Sequence, residues 1–146
     1  EGATQEVDAG DTEYYFAELG AQAAGVTVKV AQEVLGSDDG LVAFQTPLAT
    51  KHAFNGWADL FLATPADGLK DSFVSVGTKL AGFKLAAVYH DFQSDEGSID
   101  YGTETDLLVA RPIGKKYVVG LKYADYRADD FGTDTQKLWG WVELKL

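Results

Sequence analysis

The chain has 146 residues, 46% of them hydrophobic, and carries 23 acidic against 12 basic residues for a net charge of −11. That balance excludes nucleic acid or an anionic membrane surface as partner, since both need a basic face. Cysteine is absent, which removes disulfides, thiolate nucleophiles and cysteine metal sites, and no run approaches the ~18 apolar residues of a membrane helix.

Thr12–Gly20 alternates, with Tyr15, Ala17 and Leu19 opposed to Tyr14, Phe16 and Glu18. A short turn at Gly20–Gly25 leads into Gly25–Val34, where Val26, Val28 and Val30 oppose Thr27, Lys29, Ala31 and Glu33. Period-2 alternation sends successive side chains to opposite faces, so each segment is an expected strand with one apolar side.

Gly36–Lys70 breaks this rhythm with Pro47, Pro65, an Asn55-Gly56-Trp57 run and the apolar stretch Leu60–Ala63. A structureless stretch of that length is unusual in a compact domain unless it is functional. We read it as a long external loop, carrying a short hairpin, that folds inward to narrow a pore. The alternative is two more strands, at Leu41–Thr46 and Trp57–Ala63.

Alternation resumes in Asp71–Leu80, Phe83–Phe92, Thr103–Pro112, Lys116–Tyr126 and Lys137–Leu146. The turns Leu80–Lys84 and Pro112–Lys116 are short, whereas Gln93–Gly102 and Arg127–Thr135 are longer and acidic. Transmembrane strands need about 9–11 residues, and outer-membrane barrels place short turns on the periplasmic side and long loops outside. The expected fold is therefore all-β, an antiparallel up-and-down transmembrane β-barrel. The chain would form one segment of a larger barrel, with about seven to nine strands, Glu1–Asp11 as an external loop remnant and 36–70 as the long loop.

In such a wall the charged faces line water and the apolar faces meet lipid. The pore-lining candidates are Lys29, Glu33, Lys79, Lys84, His90, Glu104, Asp106, Lys122, Glu143 and Lys145. The lipid-facing candidates are Tyr117, Val119, Leu121, Tyr123, Leu85, Tyr89, Val142 and Leu144, with tyrosines bounding strands as an interfacial girdle would. The same alternation fits a water-soluble β-sheet module, such as a carbohydrate-binding or assembly domain, with the faces exchanged. Turn asymmetry and the tyrosine-bounded faces favour the barrel.

If the chain ends in the periplasm, seven alternating strands place Glu1–Asp11 outside, whereas even-stranded single-chain barrels begin and end on the periplasmic side. The open edges are then expected to pair with a missing N-terminal part of the barrel or with another chain, because orphan backbone groups are not tolerated in lipid. Methionine is absent and the sequence opens at Glu1, as expected of a processed or excised product.

Several blocks carry a family likeness: Glu33-Val34-Leu35-Gly36-Ser37-Asp38, Phe44-Gln45-Thr46-Pro47-Leu48-Ala49-Thr50 and His52-Ala53-Phe54-Asn55-Gly56-Trp57-Ala58-Asp59. Ala87-Val88-Tyr89-His90-Asp91-Phe92, Gly120-Leu121-Lys122-Tyr123-Ala124, Ala128-Asp129-Asp130-Phe131-Gly132 and Lys137-Leu138-Trp139 extend it. In these blocks the sequence resembles the C-terminal portion of the alginate-export-like family of bacterial outer-membrane porins. The resemblance implies a Gram-negative outer-membrane location and passive passage of small solutes or anionic saccharides. Its partners would be outer-membrane lipid and a saccharide solute. Two departures stand out: the family's N-terminal half has no counterpart, and the chain ends Leu144-Lys145-Leu146 where such proteins usually end in an aromatic residue.

No catalytic residue, cofactor or metal site is expected. His52 and His90 are the only histidines. A triad of His90, Asp91 and Ser94 fails because neighbouring strand residues point to opposite faces. The acidic stretches Ser37–Gly40, Gln93–Asp100 and Asp125–Asp134 offer calcium-type oxygens but lack EF-hand spacing, and solvated acid is the simpler reading. Trp57, Trp139 and Trp141 could stack on sugar rings, with lumen or girdle packing as the plainer role. Lysines and acids both occur among the lining candidates, so selectivity is open at this level.

Overall fold

A computed structural model of the chain describes residues 10–48 and 51–145. Most of the remnant Glu1–Asp11, and the terminal Leu146, lie outside the described residues. Seven long strands are β1 (Tyr14–Ala23), β2 (Val26–Leu35), β5 (Leu69–Leu80), β6 (Phe83–Gln93), β7 (Asp100–Ile113), β8 (Tyr117–Ala128) and β9 (Thr135–Leu144). Two-residue strands β3 (Ser37–Asp38) and β4 (Val42–Ala43) and a 3-10 turn at Lys51–Ala53 fall between β2 and β5. The long strands form one antiparallel sheet in the order β1-β2-β5-β6-β7-β8-β9, and β3-β4 pair separately.

Local chemistry explains the meander. Ala24-Gly25 (φ 50° and 80°) and Ala81-Gly82 (φ 49° and 82°) form two-residue turns with positive φ at both centres. Such turns match the right-handed twist of the strands they join. At the opposite end, β6 passes to β7 through Ser94–Ile99, and the pairing slips at Phe92/Gln93. The single Tyr126 Oη–H is shared between Tyr101 O and Phe131 O (2.9 Å), which ties the β8–β9 loop to β7.

Several expected boundaries move. β1 continues to Ala23, so the Gly20–Gly25 turn shrinks to Ala24-Gly25. β7 begins at Asp100 and β8 ends at Ala128, which shortens both acidic loops. β5 begins at Leu69 and takes two residues from the long loop. The alternative strand at Leu41–Thr46 reduces to Val42–Ala43, and Trp57–Ala63 is no strand. The reason is packing. Positive φ at Asn55, Gly56 and Asp59 coils that segment, and its apolar side chains go into a core instead of a ladder.

Register puts directly paired residues on the same face of the sheet. The pairings Glu33↔Asp71, Phe73↔His90↔Glu104↔Tyr126 and Lys122↔Trp139 define the inner face. The sheet curls around it. Asn55 bonds to Glu33 on β2 while Asp59 bonds to Lys137 on β9. In a flat sheet with ~4.8 Å between strands, those two strands would stand about 24 Å apart, too far for one coiled turn to serve comfortably.

The core sits in the resulting trough at the long-loop end. Leu35, Leu69, Phe92, Tyr101, Ala124 and Tyr126 from the sheet close over Ala58 and Phe61 from the long segment. The Phe61 ring lies 4.5 Å from Phe92, 5.3 Å from Phe131 and 5.7 Å from Tyr101, centre to centre. Burying one phenylalanine of this kind is worth roughly 2–3 kcal/mol.

Candidate functional site

Residues 52–61 lie in the trough as a plug. It is held by hydrogen bonds to wall acids, and three of the sequence-derived lining candidates supply them. Asn55 Nδ2 donates to Glu33 Oε2 (3.0 Å), Trp57 N–H to Asp106 Oδ2 (3.1 Å) and Ala58 N–H to Glu104 Oε1 (2.7 Å). Amide-to-carboxylate bonds of this sort are charge-assisted and stronger than neutral ones. Gly56 makes the approach possible. Its φ is +82°, and a Cβ there would stand 2.5 Å from Glu104 Oε2.

The wall behind the plug is a belt of buried titratable side chains on four adjacent strands. Glu33, Asp71, His90, Glu104 and Asp106 are all buried. His90 Nδ1 lies 2.8 and 3.0 Å from the two Asp71 oxygens, and because a carboxylate can only accept, Nδ1 is the donor. His90 Nε2 faces Asp106 Oδ2 at 3.8 Å. Glu33 Oε1 accepts from Tyr14 Oη at 3.0 Å. Among the described residues Glu104 Oε2 and Asp106 Oδ1 are buried with no hydrogen-bond partner, a costly arrangement.

The far side of the plug is held by Lys137 and His52. Lys137 Nζ donates to Asp59 Oδ2 (2.9 Å), and His52 Nδ1 lies 2.7 Å from Asp59 Oδ1. Burial works against the Asp59 charge, but the hydrogen bonds from His52 and Lys137 outweigh it and hold the carboxyl below the usual carboxylate range. Lys122 Nζ sits 4.6 Å from the centre of the Trp57 ring, a cation–π contact.

Nine of the ten lining candidates share the inner face by register, Lys145 falling just past the end of β9, but they do not form one group. Glu33, His90, Glu104, Asp106 and Lys122 meet the plug. Lys29 pairs with Glu18 at 2.8 Å. Lys79 and Lys84 face each other across β5 and β6 near the short-turn end, where Glu143 and Lys145 are also exposed. The eight apolar candidates share the opposite face, where Leu121 is 50% and Val142 70% exposed.

Sequence reasoning missed Asp71 and Lys137, which open the two expected segments and fall into phase with Phe73 and Trp139. Extending each alternation by one step would have found both. It also missed Tyr14, which alternates in phase with Phe16 and Glu18, and Asp59 and Phe61, which have no periodic signal. The three tryptophans all sit in packing contacts: Trp57 over Lys122, Trp139 with its ring centre 5.0 Å from that of His52, and Trp141 across Gly120. No protein-family model, curated protein or solved structure matches the chain.

Proposed function

We propose that the chain is part of the wall of an outer-membrane porin, with its apolar face against lipid and its charged face against a water-filled passage partly filled by residues 52–61. One observation carries the reading. The open face presents Leu19, Val28, Val30, Val76, Leu107, Leu121, Leu138 and Val142 to the surroundings, while on the charged face Glu33, Asp71, His90, Glu104 and Asp106 are buried beneath the plug. A water-soluble sheet has the reverse arrangement, and exposed apolar patches of this extent mark contact with lipid or another protein. Outer-membrane strands alternate apolar-out and polar-in in this way.

The likeness to alginate-export-like porins in the blocks quoted above supports the same reading and a bacterial outer-membrane location. Passage is passive, small solutes move by diffusion, and no chemical step is assigned. Outer-membrane lipid is one partner, and strands of the barrel's N-terminal part or of another chain cover β1 and β9. Passage of anionic saccharides would need a basic path. Lys29, Lys79, Lys84 and Lys122 supply part of one, but the plugged end is dominated by acids.

The test is dispersal and permeability. The chain should stay monodisperse only with detergent, and proteoliposomes holding it together with its edge-covering strands should swell in isosmotic solutions of small sugars. A monodisperse, folded chain in plain buffer would overturn the porin reading in favour of the soluble module.

A further inference from the structure

On the inner face a cleft of about 320 Å3 runs between the plug and strands β1, β2, β5 and β6. Phe16 and Phe73 stand on its sheet side, Phe54 and Trp57 on its plug side, and Glu33 and Asp71 in its wall. Its volume falls at the lower end of the range for small-molecule sites.

The charges in this cleft do not balance. Glu33 is 7% exposed and Asp71 is fully buried, and the two are register neighbours on β2 and β5. Among the described residues Glu33 makes no ion pair: its donors are the neutral Tyr14 hydroxyl and Asn55 amide. Asp71 has only His90. Lys29, the one lysine lining the cleft, is engaged by Glu18 at 2.8 Å. A buried carboxylate with neutral partners alone is expensive, and a cation placed beside it offsets that cost.

The walls say which cation. Four aromatic side chains surround the space, and ammonium groups are attracted to aromatic faces. A metal ion needs converging oxygen or nitrogen ligands, and no group of three such side chains is arranged to hold one among the described residues. We propose that this cleft is a binding subsite for small organic cations, with Glu33 as the contacting carboxylate and Phe54 and Trp57 as the covering aromatics. This deepens the porin reading and rests on it for any role in passage, where it would favour ammonium-bearing solutes over anionic ones. Binding itself does not require a pore.

The experiment uses the full chain in detergent, with benzyltrimethylammonium chloride observed by saturation-transfer NMR. Sodium chloride at equal ionic strength, methyl glucoside and sodium glucuronate serve as controls. Saturable binding of the ammonium probe alone is expected, weakened about tenfold by Glu33→Gln and roughly two- to fivefold by Phe54→Ala. Phe54 is 54% exposed, so its truncation leaves the fold intact and keeps the test sound should the Glu33 variant fail to fold. Lys84→Gln, at the short-turn end, should leave binding unchanged. Competition by sodium chloride, equal binding of glucuronate, or full binding in Phe54→Ala would overturn the proposal. A chain that binds the probe but forms no pore would refute the porin reading alone, and one that conducts without binding would refute the subsite alone.

Discussion

Gly56 is the residue on which the plug's position turns. Its positive φ and its contact with Glu104 leave no room for a side chain, so Gly56→Ala should destabilise the folded state by roughly 1–3 kcal/mol, read as a lower thermal midpoint by circular dichroism. Asp59 gives a pH signature. Its folded carboxyl titrates below the unfolded value of about 3.9, so its contribution is present above that pH and is lost as pH falls through the folded value. Limited pepsin digestion near pH 2 should therefore cut the plug faster than near pH 4, and Asp59→Asn should flatten that difference. Equal rates in the native chain would show that the Lys137–Asp59 contact does not hold the segment.

At the scale of strands, the outer face separates lipid from water. Leu121 lies mid-strand on β8 and is half exposed. In hydrocarbon, Leu121→Lys should cost roughly 2–4 kcal/mol, whereas in water a surface exchange of this kind stays within about 0.5 kcal/mol. Unfolding free energy measured in lipid vesicles decides between them. The Ala24-Gly25 turn offers a gain. Asparagine takes the first position of such turns more readily than alanine, so Ala24→Asn should raise stability by up to about 1 kcal/mol without changing register.

Most of the strand layout was legible because alternation is a two-residue signal that survives in short stretches. Val26–Val30 and Tyr117–Tyr123 announce their faces without tertiary information. Strand ends were less legible: Ala21–Ala23 has no face contrast, and Asp100–Gly102 reads as polar loop until pairing recruits it. The plug was legible only as an interruption. Which wall residues would meet Asn55-Gly56-Trp57 depends on contacts 46 to 49 positions away, such as Ala58 to Glu104 and Trp57 to Asp106, and no local pattern encodes that distance.

For the molecule as a whole, the porin reading makes the plug the element that sets the size of the passage. Replacing residues 44–68 with a short Gly-rich turn should enlarge the passage and raise single-channel conductance several-fold over the intact chain, when each is assembled with its edge-covering strands. An unchanged conductance would show that the plug does not stand in the route.

The order of the sheet has a directional consequence. Six antiparallel pairings separate β1 from β9, so the two outermost strands run the same way. Whatever closes the gap between them with antiparallel seams must present a strand of opposite sense at each end, and hence an odd count. A second copy inserted with the same orientation presents the wrong sense at both seams. An inverted copy would pair correctly only by leaving its long loops on the other side of the bilayer.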